Sequence, residues 1–514
     1  MEQFLQTETI VIELLLIVSV VALAVRRYRL PYTVALVLVG LVLTVQQPLE
    51  FNLTPELILA LFVPPLVFEA AFHLSAMELR RNLVAVLALA VPGVVVTTLI
   101  VGGVVSWFTA VSLPLALVFG ALIAATDPVA VVALFRAFGV PKRLSVLVEG
   151  ESLLNDGTAI VVFSLVLAAA QTGHFNLAEG LFEFVRVAAV GLFIGAGLGW
   201  LVSFVIARVD DYLIETTLTT ILAFGSYLLA ERVHASGVLA VVAAGLVAGN
   251  IGPRGMSPTT RIVLFNFWEY VAFLANSLIF LLIGLQVNLP ALVAAWESIL
   301  VAIVAVLVAR VIVVYGFGAL VNRFVAPLSL SWLHVMSWGG LRGAISLALV
   351  LSLPLDPGPE RDSLLAMSFG VVLFTLLVQG TTMGALLKRL GIVGVMESRL
   401  ELERSHARLT ALRSAEAHLE NLHREGLVQT HAWESLRPML AERIEGQAAA
   451  VSRAIAAEPA LEAEGLETAQ REVIRAQRSA LFDLRREGVI SEEVFQELAE
   501  ELDADLDGKR PADH

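Results

Sequence analysis

The chain has 514 residues, of which 58% are hydrophobic and 16% charged, with a formal net charge of −13 and a mean hydropathy of +0.82. Soluble domains carry about 25% charged residues, so this much apolar surface excludes an ordinary water-soluble fold, and the negative balance argues against nucleic acid as a partner. There is no cysteine, which excludes disulfides and thiolate metal sites.

Charge is sparse as far as about residue 390 and dense from Glu397 onward. This division predicts a transmembrane domain over 1–390 and a cytoplasmic helical tail over 391–514. The chain opens Met1-Glu2-Gln3, with Glu8 and Glu13 and no basic stretch, so the first apolar segment reads as a retained helix rather than a signal peptide.

A spanning helix needs about 20 mostly apolar residues. Apolar runs between polar breaks predict thirteen, at 9–25, 31–47, 55–73, 83–108, 113–136, 145–170, 183–207, 215–231, 236–251, 262–287, 294–321, 330–353 and 362–388. The fold class is therefore an all-α polytopic membrane protein. The pair around Glu231 to Gly237 reads equally as one broken unit. Loop Lys and Arg residues are grouped on one side, among them Arg26, Arg27, Arg80, Arg81, Arg136, Lys142, Arg143, Arg208, Lys388 and Arg389, with only Arg232 and Arg361 on the other. By the positive-inside rule the N-terminus lies outside and the tail in the cytoplasm.

Ionisable residues inside apolar spans are costly and mark pathways, relays or buried pairs. Glu69, in Pro64-Pro65-Leu66-Val67-Phe68-Glu69, is the first; the residues alone leave it as either an accessory ligand or a packing carboxylate. Asp127 follows, in Ala125-Thr126-Asp127-Pro128-Val129. Pro128 removes a donor and disfavours helical geometry at Asp127, so the helix should unwind and free carbonyls that suit a small cation. Next comes Glu149-Gly150-Glu151-Ser152-Leu153-Leu154-Asn155-Asp156. Helical spacing puts Ser152, Asn155 and Asp156 on one face, which gives a hydroxyl, an amide and a carboxylate. That oxygen set suits Na⁺, Li⁺ or K⁺, and protons compete for the carboxylate.

Further on, Arg310 lies near the middle of its span and needs a buried partner; Glu151, set apart from the Asp156 face, is the nominee. Arg342 sits in Gly339-Gly340-Leu341-Arg342-Gly343-Ala344, which reads as a second broken helix whose carbonyls and C-terminal dipole the arginine balances. The spans 83–108, 113–136 and 145–170 and the spans 294–321, 330–353 and 362–388 then form inverted repeats, each with a broken middle member. Such a pair of broken helices points to a mid-membrane transport site. The tail reads as helices over 397–425, 432–456 and 465–487, punctuated by Pro438, with a last helix capped by Ser491.

These motifs resemble the monovalent cation/proton antiporter-1 family, which includes NhaP-type bacterial sodium/proton antiporters and animal sodium/proton exchangers. The likeness covers roughly residues 10–390. It is carried by the stretches above together with Ala309-Arg310-Val311 and Val378-Gln379-Gly380. It implies thirteen spans, a homodimer and an elevator-like movement of a core domain. It also implies Asp156 as the essential carboxylate, a cation site built from Asp156, Asp127, Ser152, Asn155 and the Thr126 carbonyl, with Glu69 in addition, and a Glu151–Arg310 salt bridge. Na⁺ would sit at Asp156, Asp127, Ser152 and Thr126. The Asn155–Asp156 pair resembles the electroneutral branch, one cation for one proton.

The expected function is thus exchange of Na⁺, or else Li⁺ or K⁺, for H⁺ across a cell membrane, in a bacterial inner membrane, serving pH and sodium homeostasis without a cofactor. A potassium-selective exchanger and a gated cation channel are the alternatives. The chain has no convincing nucleophile–base pair or paired-histidine site, so an enzyme is not expected.

Overall fold

A computed structural model of the chain describes residues 2–28, 32–46, 58–173, 176–209, 211–252, 256, 258–285, 289–324, 327–353, 359–392 and 394–456, and isolated positions between 477 and 498. Two compact units divide it, Met1–Val393 and Gly394–His514. Among the described residues both are helical, without strands.

In the first unit α1 (Glu2–Tyr28) and α2 (Tyr32–Gln46) are followed by a π-helical turn, Ile58–Phe62, that runs into α3 (Val63–His73). Then come α4 (Ala76–Ala90), α5 (Pro92–Phe108), α6 (Leu113–Ala124), α7 (Val129–Phe138), α8 (Lys142–Thr172) and α9 (Leu177–Ile206). The second half comprises α10 (Tyr212–Arg232), α11 (Gly237–Ile251), α12 (Pro258–Leu285), α13 (Leu289–Ala294), α14 (Trp296–Phe324), α15 (Leu330–Trp338), α16 (Ala344–Leu351) and α17 (Pro359–Phe374). A second π-helical turn, Thr375–Gly380, leads into α18 (Thr381–Arg389).

Among the described residues eight stretches are long and apolar enough to cross a bilayer: Ala76–Phe108, Leu113–Phe138, Lys142–Thr172, Leu177–Ile206, Tyr212–Arg232, Thr260–Leu285, Trp296–Arg323 and Pro359–Arg389. Ile12–Val25, Tyr32–Thr44, Leu59–His73 and Gly237–Ile251 are shorter apolar helices. Each falls on a segment read from the sequence, and the segment left over, 330–353, is the α15–α16 pair. The chain is a multi-pass membrane protein.

One boundary moves and one open reading is decided, each for a local reason. The helix expected from residue 83 begins at Ala76, because the Ser75 hydroxyl caps it by accepting the Glu78 N–H at 3.4 Å. Arg80 and Arg81 therefore lie within a helix, not in a loop. The Glu231–Gly237 region is a turn between two helices, α10 and α11, held by the Glu231 carboxylate accepting the Gly237 N–H at 3.2 Å.

Packing concentrates around α6, whose residues from Val118 to Ala124 are all buried. Burial on every side, rather than apolarity alone, puts α6 inside the bundle, where it lies against α5, α8 and α16. Elsewhere in the unit α9 runs along α11. Gly191, Gly195 and Gly199 face the backbone carbonyls of Ser236, Ala240 and Ala244, where even a Cβ at Gly199 would lie 3.0 Å from the Ala244 oxygen. Small residues at this spacing let membrane helices approach closely.

The broken helices fall where the sequence places them. Residues 125–128 separate α6 from α7, and residues 339–343 separate α15 from α16. The two breaks touch, since the Asp127 N–H donates to the Leu341 carbonyl at 2.8 Å.

In the second unit α19 (Gly394–Arg424) packs against α20 (Thr430–Ala456) as a helical hairpin. Gly426, in the left-handed region at φ 72°, turns the chain between them, and His423 stacks on Trp433 with ring centres 4.8 Å apart. Pro438 lies inside α20, as the helix read over 432–456 places it. It lies on an exposed stretch, where water takes the carbonyl that a proline leaves unbonded. The helix expected at 465–487 lies almost wholly outside the described residues, while Ser491 does accept the Val494 N–H at 3.4 Å.

Candidate functional site

The site is built from the first break outward. Helix α6 ends at Ala124, Ala125 turns extended, and α7 restarts after Pro128. Asp127 itself caps the new helix, its Oδ1 accepting the Val129 N–H at 2.9 Å, as aspartate does well at an N-cap. Thr126 is buried and faces α8. Its carbonyl accepts the Ser152 hydroxyl, and its own hydroxyl accepts the Asn155 amide at 3.3 Å. The face of α8 that the sequence assigns to Ser152, Asn155 and Asp156 is therefore the face that clasps the unwound turn.

These side chains play different parts. Asp156, half-buried, opens into a cavity of about 530 Å³ whose wall includes Thr126, Asp127, Ser152, Glu69 and Ser346. No donor among the described residues hydrogen-bonds its carboxylate. Asn155 is 3% exposed and lies behind the wall; its Oδ1 has no hydrogen-bond partner among the described residues. The cavity is many times the size of a water molecule. An ion can thus reach Asp156 hydrated and exchange water for protein oxygen there.

The second break presses on the first. Gly343 packs so tightly against Asp127 that a Cβ there would overlap the aspartate side chain, with Cγ only 2.8 Å away. Glycine is required by this approach and not by its dihedrals, since φ is −134°.

Glu151 points away from the cavity and forms a bidentate pair with Arg310, through Nη1 to Oε1 and through Nη2 to Oε2 at 3.0 Å. Arg310 also donates from Nε and Nη2 to the Met336 carbonyl at 3.2 and 2.8 Å, near the C-terminal end of α15. The hydrogen bonds to the broken helix come from Arg310, in addition to the charge balance that the sequence reading gives Arg342. Arg342 is 1% exposed, and its side-chain Nε and Nη1 have no hydrogen-bond partner among the described residues. Its backbone N–H donates to Thr375 Oγ1 at 3.1 Å, which ties the break to the second π-helical turn.

Glu69 lines the cavity and contacts His73 one turn later, Nδ1 to Oε1 at 3.3 Å. Sequence reasoning missed several further wall residues: His73, Thr33, Asn276 and Ser346. Arg136, read from the sequence as a loop charge, lines the same space, as do Glu149 and Glu269. Glu149 and Glu269 are ionisable residues in apolar spans, but the sequence alone does not show which space they face. Neutral Ser, Thr and Asn give no comparable signal. Among the described residues there is no group of three or more His, Asp or Glu arranged to hold a resident metal ion.

Residues 14–389 match the family model described as sodium/hydrogen exchanger, transmembrane. The chain is 44% identical over 395 residues to the Na(+)/H(+) antiporter ApNhaP of Aphanothece halophytica, covering 76% of this chain and 75% of that one. It is 39% identical over 486 residues to the Na(+)/H(+) antiporter NhaG of Bacillus atrophaeus, covering 92% of each. Among solved structures, the sodium proton antiporter MjNhaP1 of Methanocaldococcus jannaschii shares the fold with a TM-score of 0.63 at 20% identity, over 76% of this chain and 99% of that chain.

Proposed function

The chain belongs to the sodium/hydrogen exchanger family, and from that premise we propose that it exchanges Na⁺ for H⁺ across a membrane at Asp156. The observation that carries the assignment is a pair of carboxylates, Asp156 and Asp127, on one cavity wall where two broken helices meet. Asp156 binds either a proton or the cation. Asp127, Ser152 and the Thr126 carbonyl supply further oxygens, Glu69 lies along the same wall, and Asn155 holds Thr126 in place without titrating.

Coupling follows from desolvation. With a proton or a Na⁺ bound, the Asp156 carboxylate is compensated and can cross an apolar environment. Empty, it is an unpaired charge whose burial is expensive, so the empty site crosses slowly and the two ions must take turns. With Asp127 keeping one charge state throughout and Asn155 adding none, one proton replaces one Na⁺ at Asp156 and the exchange is electroneutral, as the Asn155–Asp156 pair implies by its resemblance to the electroneutral branch. Arg342 adds fixed positive charge near the break, and the Glu151–Arg310 pair holds α8 to α14 and the end of α15. Thirteen spans, an outside N-terminus, a cytoplasmic tail, a bacterial inner membrane and a homodimer with an elevator-like movement complete the reading. Homology to antiporters and the basic-loop asymmetry support it.

The test is a transport assay in everted vesicles. Addition of Na⁺ should dissipate a preformed ΔpH, with Li⁺ and K⁺ as comparators. A response to K⁺ alone makes the protein a potassium exchanger, and flux without proton movement makes it a channel.

A further inference from the structure

We propose that Ser346 is a ligand of the transported cation, contributed by the second broken helix; this rests on the exchange reading above and adds a residue to its site. Ser346 lies in the first turn of α16, three residues after Gly343, whose Cα packs on the Asp127 side chain. It is a wall residue of the cavity that Asp156 and Asp127 also line. It is fully buried, and its Oγ has no hydrogen-bond partner among the described residues.

The unmade bond has a local cause. Several helical hydroxyls in this chain donate to the carbonyl four residues back: Thr98 to Val94 at 2.9 Å, Thr158 to Leu154 at 2.8 Å, Ser203 to Gly199 at 2.7 Å. For Ser346 that carbonyl belongs to Arg342, which lies in the non-helical 339–343 stretch. With Gly343 at φ −134° and ψ −150° the helix has not yet begun, so the acceptor is out of register. A buried hydroxyl left without a partner is costly, and the break creates that condition beside the carboxylates.

The chemistry suits a cation shedding water. The oxygens already placed at the site come from α8 and the first break: Asp156, Asp127, Ser152 and the Thr126 carbonyl, which is engaged by Ser152. A small hard cation takes as many oxygens as geometry allows, and the second repeat supplies a neutral one in Ser346. A hydroxyl offers lone pairs to Na⁺ but holds no proton in competition at neutral pH. Ser346 therefore sets affinity for the cation and leaves the proton reaction at Asp156 untouched.

The experiment uses the full chain reconstituted in proteoliposomes, with Na⁺/H⁺ exchange measured as a function of Na⁺ at several pH values. Ser346→Ala should raise KM for Na⁺ by about three- to tenfold, by the same factor at each pH, with kcat retained. Ser346→Thr, which restores the hydroxyl, should recover most of the affinity. Ser368→Ala is the control. Ser368 is equally buried and its Oγ equally unpartnered, but it does not line the cavity, so its KM should match the parent protein. An unchanged KM in Ser346→Ala, a fall in kcat alone, or the same KM shift in Ser368→Ala overturns the assignment. A parent protein that moves no Na⁺ against protons removes the exchange reading itself, and Ser346 as its ligand with it.

Discussion

Removing Arg310 should destabilise the membrane unit more than almost any other single substitution. Its guanidinium satisfies both carboxylate oxygens of Glu151 and, twice over, the Met336 carbonyl. The two partners are 8% and 1% exposed, so water cannot take over these bonds. Arg310→Ala leaves a buried carboxylate without its counter-ion, at a cost of about 3–5 kcal/mol. At about 1.4 kcal/mol per factor of ten, that is two to four orders of magnitude in the folded ratio. Arg310→Lys keeps the charge but loses the planar fork that reaches Glu151 and Met336 together, and should fall between. Replacing the pair by apolar residues of similar volume, Glu151→Leu with Arg310→Met, removes both charges and should recover most of the loss. The assay is the fraction remaining monodisperse in detergent after graded heating. An Arg310→Ala protein with the parent's melting midpoint and yield refutes the reasoning, and so does a double variant no better than the single one.

Asp127 can be separated into its two parts. Asp127→Asn keeps an N-cap acceptor for Val129 and should leave thermal stability unchanged while weakening Na⁺ binding, read as a higher KM in proteoliposomes. Asp127→Ala loses the cap as well, about 1 kcal/mol, and should lower the melting midpoint in addition. Gly343→Ala places a methyl on the Asp127 carboxylate, and should abolish exchange in vesicles while the Glu151–Arg310 region, and hence most stability, persists. For charge balance, imposing a membrane voltage at equal Na⁺ and H⁺ gradients should drive no net exchange; a voltage-dependent flux means the stoichiometry is not one for one.

Much of this was legible in the sequence because membrane burial amplifies polar signals. A proline after Asp127 marks a break wherever the backbone must otherwise be satisfied internally, and the α6–α7 break sits there. The spacing of Ser152, Asn155 and Asp156 placed three polar groups on one helical face, and that face clasps Thr126. Glu151 and Arg310 each need a partner, and the structure puts them together. What sequence spacing did not carry is side-chain direction at the second break. Two arginines flank it, and which one reaches the α15 carbonyls depends on how α14 crosses α15. Nor does composition reveal that Glu69, His73, Glu149 and Glu269, from three different helices, face one cavity. Neutral wall residues such as Ser346 and Asn276 are silent in the sequence, since serine and asparagine occur in membrane helices for many reasons.

The central claim, that a single carboxylate serves both ions, is tested most directly by Na⁺-driven proton movement in vesicles containing Asp156→Asn. Asn keeps the shape and a coordinating oxygen but can neither bind a proton nor carry charge. The protein should fold and insert at the parent's level and show no Na⁺-induced dissipation of ΔpH at any pH. Exchange at the parent's rate in that variant would contradict the account.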